Sequence, residues 1–251
     1  MTVAAWVSGV PVEVSDVDAR EVSLRTGPVA PVLPRERTGE GRQLRRWLVQ
    51  VLVAERLVAA EAHARGLTSV DGPPLALIAP DRAAMLGLGS VAADLLARDP
   101  LARAVFAAVT AEVVVSPEAV EQCYDPSRFR VPEERVVRHA LGDGPTRRRV
   151  LRRGELTGPV EDAVFGASVG ERVGPVRDPL GTHVLVVEEV RPARVRPLAE
   201  VRESITEFLL AAGRRRAFTA WLDRRVAGEV RLAPGYEHPG DPNQPDNTHR
   251  H

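Results

Sequence analysis

Two alternating apolar runs constrain this chain more than any other feature. Val136, Val137 and Leu141 make a brief β pattern in "ERVVRHAL", and "GTHVLVVEEV" makes a stronger one. Side chains repeating with a period of two suit strands with one buried face. Between them "GPVEDAVFGA" reads as a helix. A sheet must therefore form in a chain whose other segments are helical, which predicts an α+β fold.

Upstream the period is that of a helix. Leu44, Trp47, Leu48, Val51, Leu52 and Val58 recur every three or four residues between Gly41 and Arg65, with Gly66 at the expected C-terminal cap. Asp81 to Arg98 and Pro100 to Val109 read as two further helices parted at "RDP". Ser116 and Pro117 suit the cap and first position of a short helix containing Tyr124. At the N-terminus "VAAWVSGVPVEVS" suggests a strand or hairpin, and Ser15 with Asp18 suggests a capping box opening Asp16 to Leu24. Leu198, Val201, Ile205, Phe208, Leu209, Ala212, Trp221 and Leu222 share roughly one face of a long helix, with an interruption expected near Gly213. The tail "PGYEHPGDPNQPDNTHRH" has nothing to bury and is expected to be disordered.

Composition narrows the function classes. The 251 residues are 44% hydrophobic, enough for a real core, and 34 basic side chains cancel 34 acidic ones. No overall field draws such a chain to nucleic acid or an anionic membrane, so neither is an expected partner. The Arg runs "TRRRVLRRG" and "GRRRA" read first as solvated, ion-paired faces. A single cysteine, Cys123, rules out an intramolecular disulfide. The opening "MTVAAWVSGVPVEV" lacks a basic n-region, and no segment approaches the roughly twenty apolar residues of a membrane span. A cytoplasmic protein is the resulting expectation.

Most chemical motifs are missing or out of context. "GLGSVA" spells a dinucleotide fingerprint, but "DRAAML" before it reads as helix where that motif needs a strand. There is no G-x-S-x-G elbow, no Cys pair and no H-E-x-x-H, so neither metal nor cofactor is expected. Residues 1 to 110 hold no polar constellation suggesting a separate enzyme. His238, His249 and His251 in the tail read as polar filler. His139 and His183 each lie inside a β run with apolar neighbours, and on spacing alone they read as core histidines held by backbone bonds.

A resemblance changes that weighting. "SPEAVEQCYDPSRFRVPEERVVRHAL" and "RRGELTGPVEDAVFGASVGERVGPVRDPLGTHVLVVEEV" resemble the first strand and second half of a parvulin domain of the PpiC-like, SurA and PrsA type, from Ser116 to about Val201. "VSGVPVEVSDVDAR" and "LVQVLVAERLVAAEAHARGL" resemble, more weakly, the N-terminal helical module of those chaperones. The implied layout is a helical module over 1–115, a truncated antiparallel β/α parvulin-like domain over 116–192, a long helix over 193–230 packing back on the N-terminal module, and a disordered tail over 231–251.

The resemblance implies a cofactor-free prolyl isomerase and folding chaperone whose client is a proline-containing polypeptide. It places the paired active-site histidines at His139 and His183, and the proline pocket at Leu156, Val160 and Phe165, the last mainly in the core. The family usually puts two helices and a loop between its first strand and the "GEL" segment, where this chain has only "GDGPTRRRV". That lost stretch supplies the family's Cys or Asp beside the substrate carbonyl, and its loss implies weak or absent activity. It also leaves one sheet face expected to be apolar and uncovered, for a client, a homodimer partner or the chain's own helices to cover. The alternative is a non-catalytic chaperone or assembly protein that grips extended segments on a degenerate parvulin scaffold.

Overall fold

A computed structural model describes residues 2–238. The chain divides into two compact units, Met1–Val115 with Glu207–His251, and Ser116–Thr206. The long helix therefore contributes its first turns to the second unit, where the sequence suggested a border after residue 192.

In the first unit β1 (Val3–Val7) and β2 (Val10–Glu13) form a hairpin through Ser8 and Gly9, both at positive φ (49° and 84°). Two such residues give the turn twist that matches paired strands. The next helix, α1 (Val14–Arg25), starts earlier than Ser15 and Asp18 suggested, because the Asp16 carboxylate accepts the Glu13 N–H and makes Glu13 the cap. At the start of α2 (Gly39–Arg65) the Thr38 hydroxyl accepts from the Gly41 N–H, and Gly66 (φ 65°) closes its end. Its buried residues include Leu48, Val49, Val51, Leu52, Val53, Leu57 and Val58, too many for one stripe, so α2 is the unit's central helix.

Short helices α3 (Leu75–Ile78) and α4 (Arg82–Leu86) precede α5 (Ser90–Arg98) and α6 (Pro100–Val109). The single helix expected over Asp81–Arg98 is broken at Gly87–Gly89, with Gly89 at φ 76°. The glycines of "GLGSVA" thus break a helix instead of following a strand.

The second unit opens with α7 (Pro117–Cys123), capped by Ser116, whose hydroxyl accepts from the Ala119 N–H at 3.2 Å. Tyr124 lies just past the helix, where its ring stacks on Phe129 and its hydroxyl donates to the Arg196 carbonyl at 2.8 Å. In chain order follow β3 (Arg130–Val131), β4 (Glu134–Leu141), β5 (Arg147–Arg152), α8 (Pro159–Gly166), β6 (Arg172–Asp178), β7 (Gly181–Arg191) and β8 (Arg194–Val195). The main sheet runs β5-β4-β7-β6 with antiparallel neighbours, and β3 pairs with β8.

The segment "GDGPTRRRV" is a hairpin, and β5 is a full strand that the sequence did not suggest. It also overturns the expectation of a bare apolar face. Val137, Leu151, Val173, Leu185 and Val187 on one face pack with Val160, Val164 and Phe165 of α8. The opposite face carries a lattice of charge: Glu188 pairs with Arg138 and Arg148 at 3.0 and 2.9 Å, and Glu134 with Arg152 and Arg191 at 3.0 and 3.3 Å. Charged side chains whose stems lie along a strand keep that face wet while covering its backbone.

Helix α9 (Leu198–Glu229) runs unbroken through Gly213. A Cβ on Gly213 would lie 3.1 Å from Val113 Cγ1, so this glycine permits a close approach and does not interrupt the helix. Phe218 is fully buried against Phe106 and Trp221 in the first unit's core, whereas Phe208 is 60% exposed. The chain then forms β9 (Val230–Leu232), which adds to β1 in the order β2-β1-β9, and Tyr236 packs on the same core. Ordered structure thus reaches into the segment expected to be disordered; the remainder of that expectation, with His249 and His251, lies outside the described residues.

Candidate active site

The register of β4 with β7 sets Leu141 opposite His183 and His139 opposite Leu185. Both histidines therefore project from one face, on diagonal positions of adjacent strands. Their rings stack with centroids 5.1 Å apart and planes 10° from parallel. His139 Nε2 and His183 Nδ1 are 3.0 Å apart, and His183 Nε2 lies 2.8 Å from Asp178 Oδ1.

These two contacts define a directional chain. The Asp178 carboxylate only accepts, so His183 Nε2 carries a proton toward it; in the tautomer that leaves Nδ1 bare, that nitrogen accepts from His139 Nε2. Asp178 ends β6, and its Oδ1 also accepts the N–H groups of Leu180 (2.8 Å) and Gly181 (3.1 Å), which hold the carboxylate in the β6–β7 turn. Removal from water opposes the charge on Asp178, but the His183 and backbone hydrogen bonds outweigh it and keep the carboxyl below its usual range. His139 is pushed below its ordinary value first by burial, then by His183 and Arg149, with Asp178 pulling the other way. His139 is thus biased toward its neutral form.

His183 is 5% exposed, while His139 is half-buried. Val137, Leu185 and Val187 continue the histidine face into the apolar cluster under α8. Leu156, Val160 and Phe165 belong to that cluster, but Val160 and Phe165 are buried within it and only Leu156 is half-buried. The Arg153 and Arg135 guanidinium groups lie 4.7 and 5.5 Å from the Phe165 ring centroid, and Arg135 donates to the Phe165 carbonyl at 2.8 Å. Arg147 and Arg149 stand opposite His139 and Val137 on β4, so both share the histidine face.

Asp178 is the residue that the sequence did not single out. The lost segment pointed only to a missing Cys or Asp beside the substrate carbonyl; the acidic partner of His183 arrives separately, from the β6–β7 turn. Its signal was present in "RDPLGTH": an Asp opening a turn that ends in glycine, just before a strand bearing His.

Residues 132–203 match the model of the PPIC-type PPIASE domain, and residues 3–40 match a family of unknown function, DUF7158. No curated protein matches the chain. Among solved structures it is similar to one described among two structurally related SurA-like chaperones of Campylobacter jejuni, with 11% identity, a TM-score of 0.44, and coverage of 93% of this chain and 100% of that one. It is also similar to the peptidylprolyl isomerase PrsA of Bacillus cereus, at 14% identity and a TM-score of 0.23, covering 91% of this chain and 92% of that one.

Proposed function

We propose that this chain, whose second unit carries a PPIC-type domain in shortened form, is a parvulin-type prolyl isomerase acting on polypeptide segments. The observation that carries the reading is the hydrogen-bonded series Asp178–His183–His139 on a sheet face that continues into the apolar cluster under α8.

An X-Pro amide resists rotation because resonance gives its C–N bond partial double-bond character, a barrier of about 18–20 kcal/mol. Twisting removes the resonance, withdraws charge from the carbonyl oxygen and returns a lone pair to nitrogen. A dry apolar surface favours that less polar form over the planar amide, which water solvates better. A donor to the carbonyl oxygen would strengthen the resonance and oppose rotation. The series prevents this, since the His139 Nε2–H is engaged by His183 and His183 Nε2–H by Asp178. With their ring donors occupied, the two histidines offer shape without donating to the carbonyl oxygen.

Protease-coupled or NMR-exchange measurement of X-Pro isomerisation tests the proposal. The wild-type chain is expected to accelerate the reaction, and His139→Ala/His183→Ala to lose that acceleration by tens-fold or more while melting cooperatively. An inactive wild type, or a double variant equal to it, refutes the reading.

A second reading, in which the chain grips client segments without turning them over, is favoured by an apolar groove in the first unit lined by Leu77, Ile78, Phe106 and Leu210. The two activities are compatible in one chain. A cytoplasmic setting remains part of the proposal, supported by the lone cysteine Cys123 and testable by cell fractionation.

A further inference from the structure

In the first unit a groove of about 240 Å³ is lined by Leu77, Ile78, Phe106, Leu210 and Ala211, with Glu207 and Arg214 also on its wall. Its volume falls below the roughly 300–1,000 Å³ of sites for drug-sized ligands, so it suits one or two aliphatic side chains better than a cofactor. Leu77 is 72% exposed although it lines this apolar groove.

Charge identifies the occupant. Several partly buried guanidinium groups of this unit have carboxylate partners, Arg20 with Glu55 at 2.8 Å, Arg45 with Glu21 at 2.6 Å, and Arg225 with Glu61, while Arg103 and Arg215 donate to backbone carbonyls. Arg214 is also half-buried, yet its Nε is out of contact with solvent and has no hydrogen-bond partner among the described residues. A guanidinium kept partly from water is stabilised by a carboxylate, which it binds in fork geometry. Glu207, on the same helix, is two turns away, about 10 Å at 1.5 Å per residue. The wall therefore offers opposite charges with apolar surface between them. In an extended peptide of polyproline II form, with three residues per turn and a rise of about 3.1 Å per residue, positions i and i+3 lie about that far apart on one side.

We infer that this groove holds an extended client segment whose aliphatic side chain fills it and whose acidic residue pairs with Arg214, a basic residue three positions away facing Glu207. The inference rests on the client-gripping reading and does not depend on the histidines.

Fluorescence anisotropy on the full chain tests it, with labelled proline-free peptides bearing Arg-Leu-Leu-Asp, Arg-Leu-Leu-Asn or Arg-Ser-Ser-Asp. The first peptide is expected to bind, and the Asn and Ser peptides to bind at least about tenfold more weakly, the scale of a lost charge-assisted contact or a lost aliphatic anchor. Arg214→Gln is expected to abolish the discrimination between Asp and Asn, and Leu77→Asp, on an exposed position, to weaken the first peptide alone. Thermal melts confirm that both variants fold. No binding by the wild type, equal binding of Asp and Asn peptides, or unchanged discrimination in Arg214→Gln overturns the inference. None of these results bears on prolyl isomerisation, which the histidine variants report separately.

Discussion

Replacing Asp178 separates the two contributions of its carboxylate. Asp178→Asn keeps an oxygen that can accept from His183 Nε2 and from the Leu180 and Gly181 N–H groups, but removes the negative charge. Asp178→Ala removes charge and acceptor together, freeing His183 to change tautomer and His139 to turn its donor toward the substrate. A hydrogen bond to a charged group contributes about 1.5–3 kcal/mol. If all of it is felt in the transition state, at about 1.4 kcal/mol per tenfold in rate, Asp178→Ala loses on the order of 10- to 150-fold in isomerisation. Asp178→Asn is expected to lose less than about tenfold, because the Leu180 and Gly181 N–H groups hold its amide oxygen where His183 Nε2 donates and so keep the tautomer. The protease-coupled assay, run beside thermal melts, distinguishes this from a loosened turn, which would lower the melting temperature of the Ala variant without ordering the two rates. Equal rates for wild type, Asn and Ala would refute the claim that the carboxylate sets the histidine pair.

Four other outcomes follow from the same geometry. The folded-state value of His139 is depressed, so stability tied to its neutral form is complete above about pH 6.5 and is lost as pH falls through the folded value; melts across that range, wild type against His139→Ala, should show it, with activity falling over the same window. Arg149 helps depress His139, so Arg149→Gln should move the activity loss to higher pH, and an unmoved profile would remove Arg149 from the site's electrostatics. Gly174 sits at φ 104° with no room for a Cβ against the His183 carbonyl, so Gly174→Ala should cost more than the roughly 1–3 kcal/mol of a strained residue and lower the melting temperature. Phe218→Ala should destabilise by about 3–5 kcal/mol in urea unfolding, whereas Phe208→Ser, at an exposed position, should stay within about 0.5 kcal/mol.

Much of the site was legible because local rules coincided with the tertiary answer. Alternation identified β4 and β7, and the two histidines lie inside them. α2 was framed by a Gly whose αL conformation suits a helix end. Other features were misread where local and global preferences diverged. Gly213 looked like a break, but the neighbouring Val113 makes it a packing site. Phe208 fell on the apolar stripe of α9, yet that stripe serves two different units and leaves this position in water. "TRRRVLRRG" was invisible as a strand because β-branched and aromatic residues are nearly absent from it; its pairing with β4 and its ion pairs with Glu188 and Glu134 hold it there.

By itself, then, the sequence determined periodicity, caps, the α+β class and the residue types that the active face uses, all properties of neighbours along the chain. The tertiary structure decided what depends on register and distance: that His139 reaches His183, that Asp178 returns through a hairpin to meet His183 Nε2, that Val160 and Phe165 belong to the core, and that Arg214 Nε is left without a hydrogen-bond partner among the described residues. Hydrogen bonds and ion pairs act over about 3–4 Å, and only folding brings residues far apart in sequence within that range.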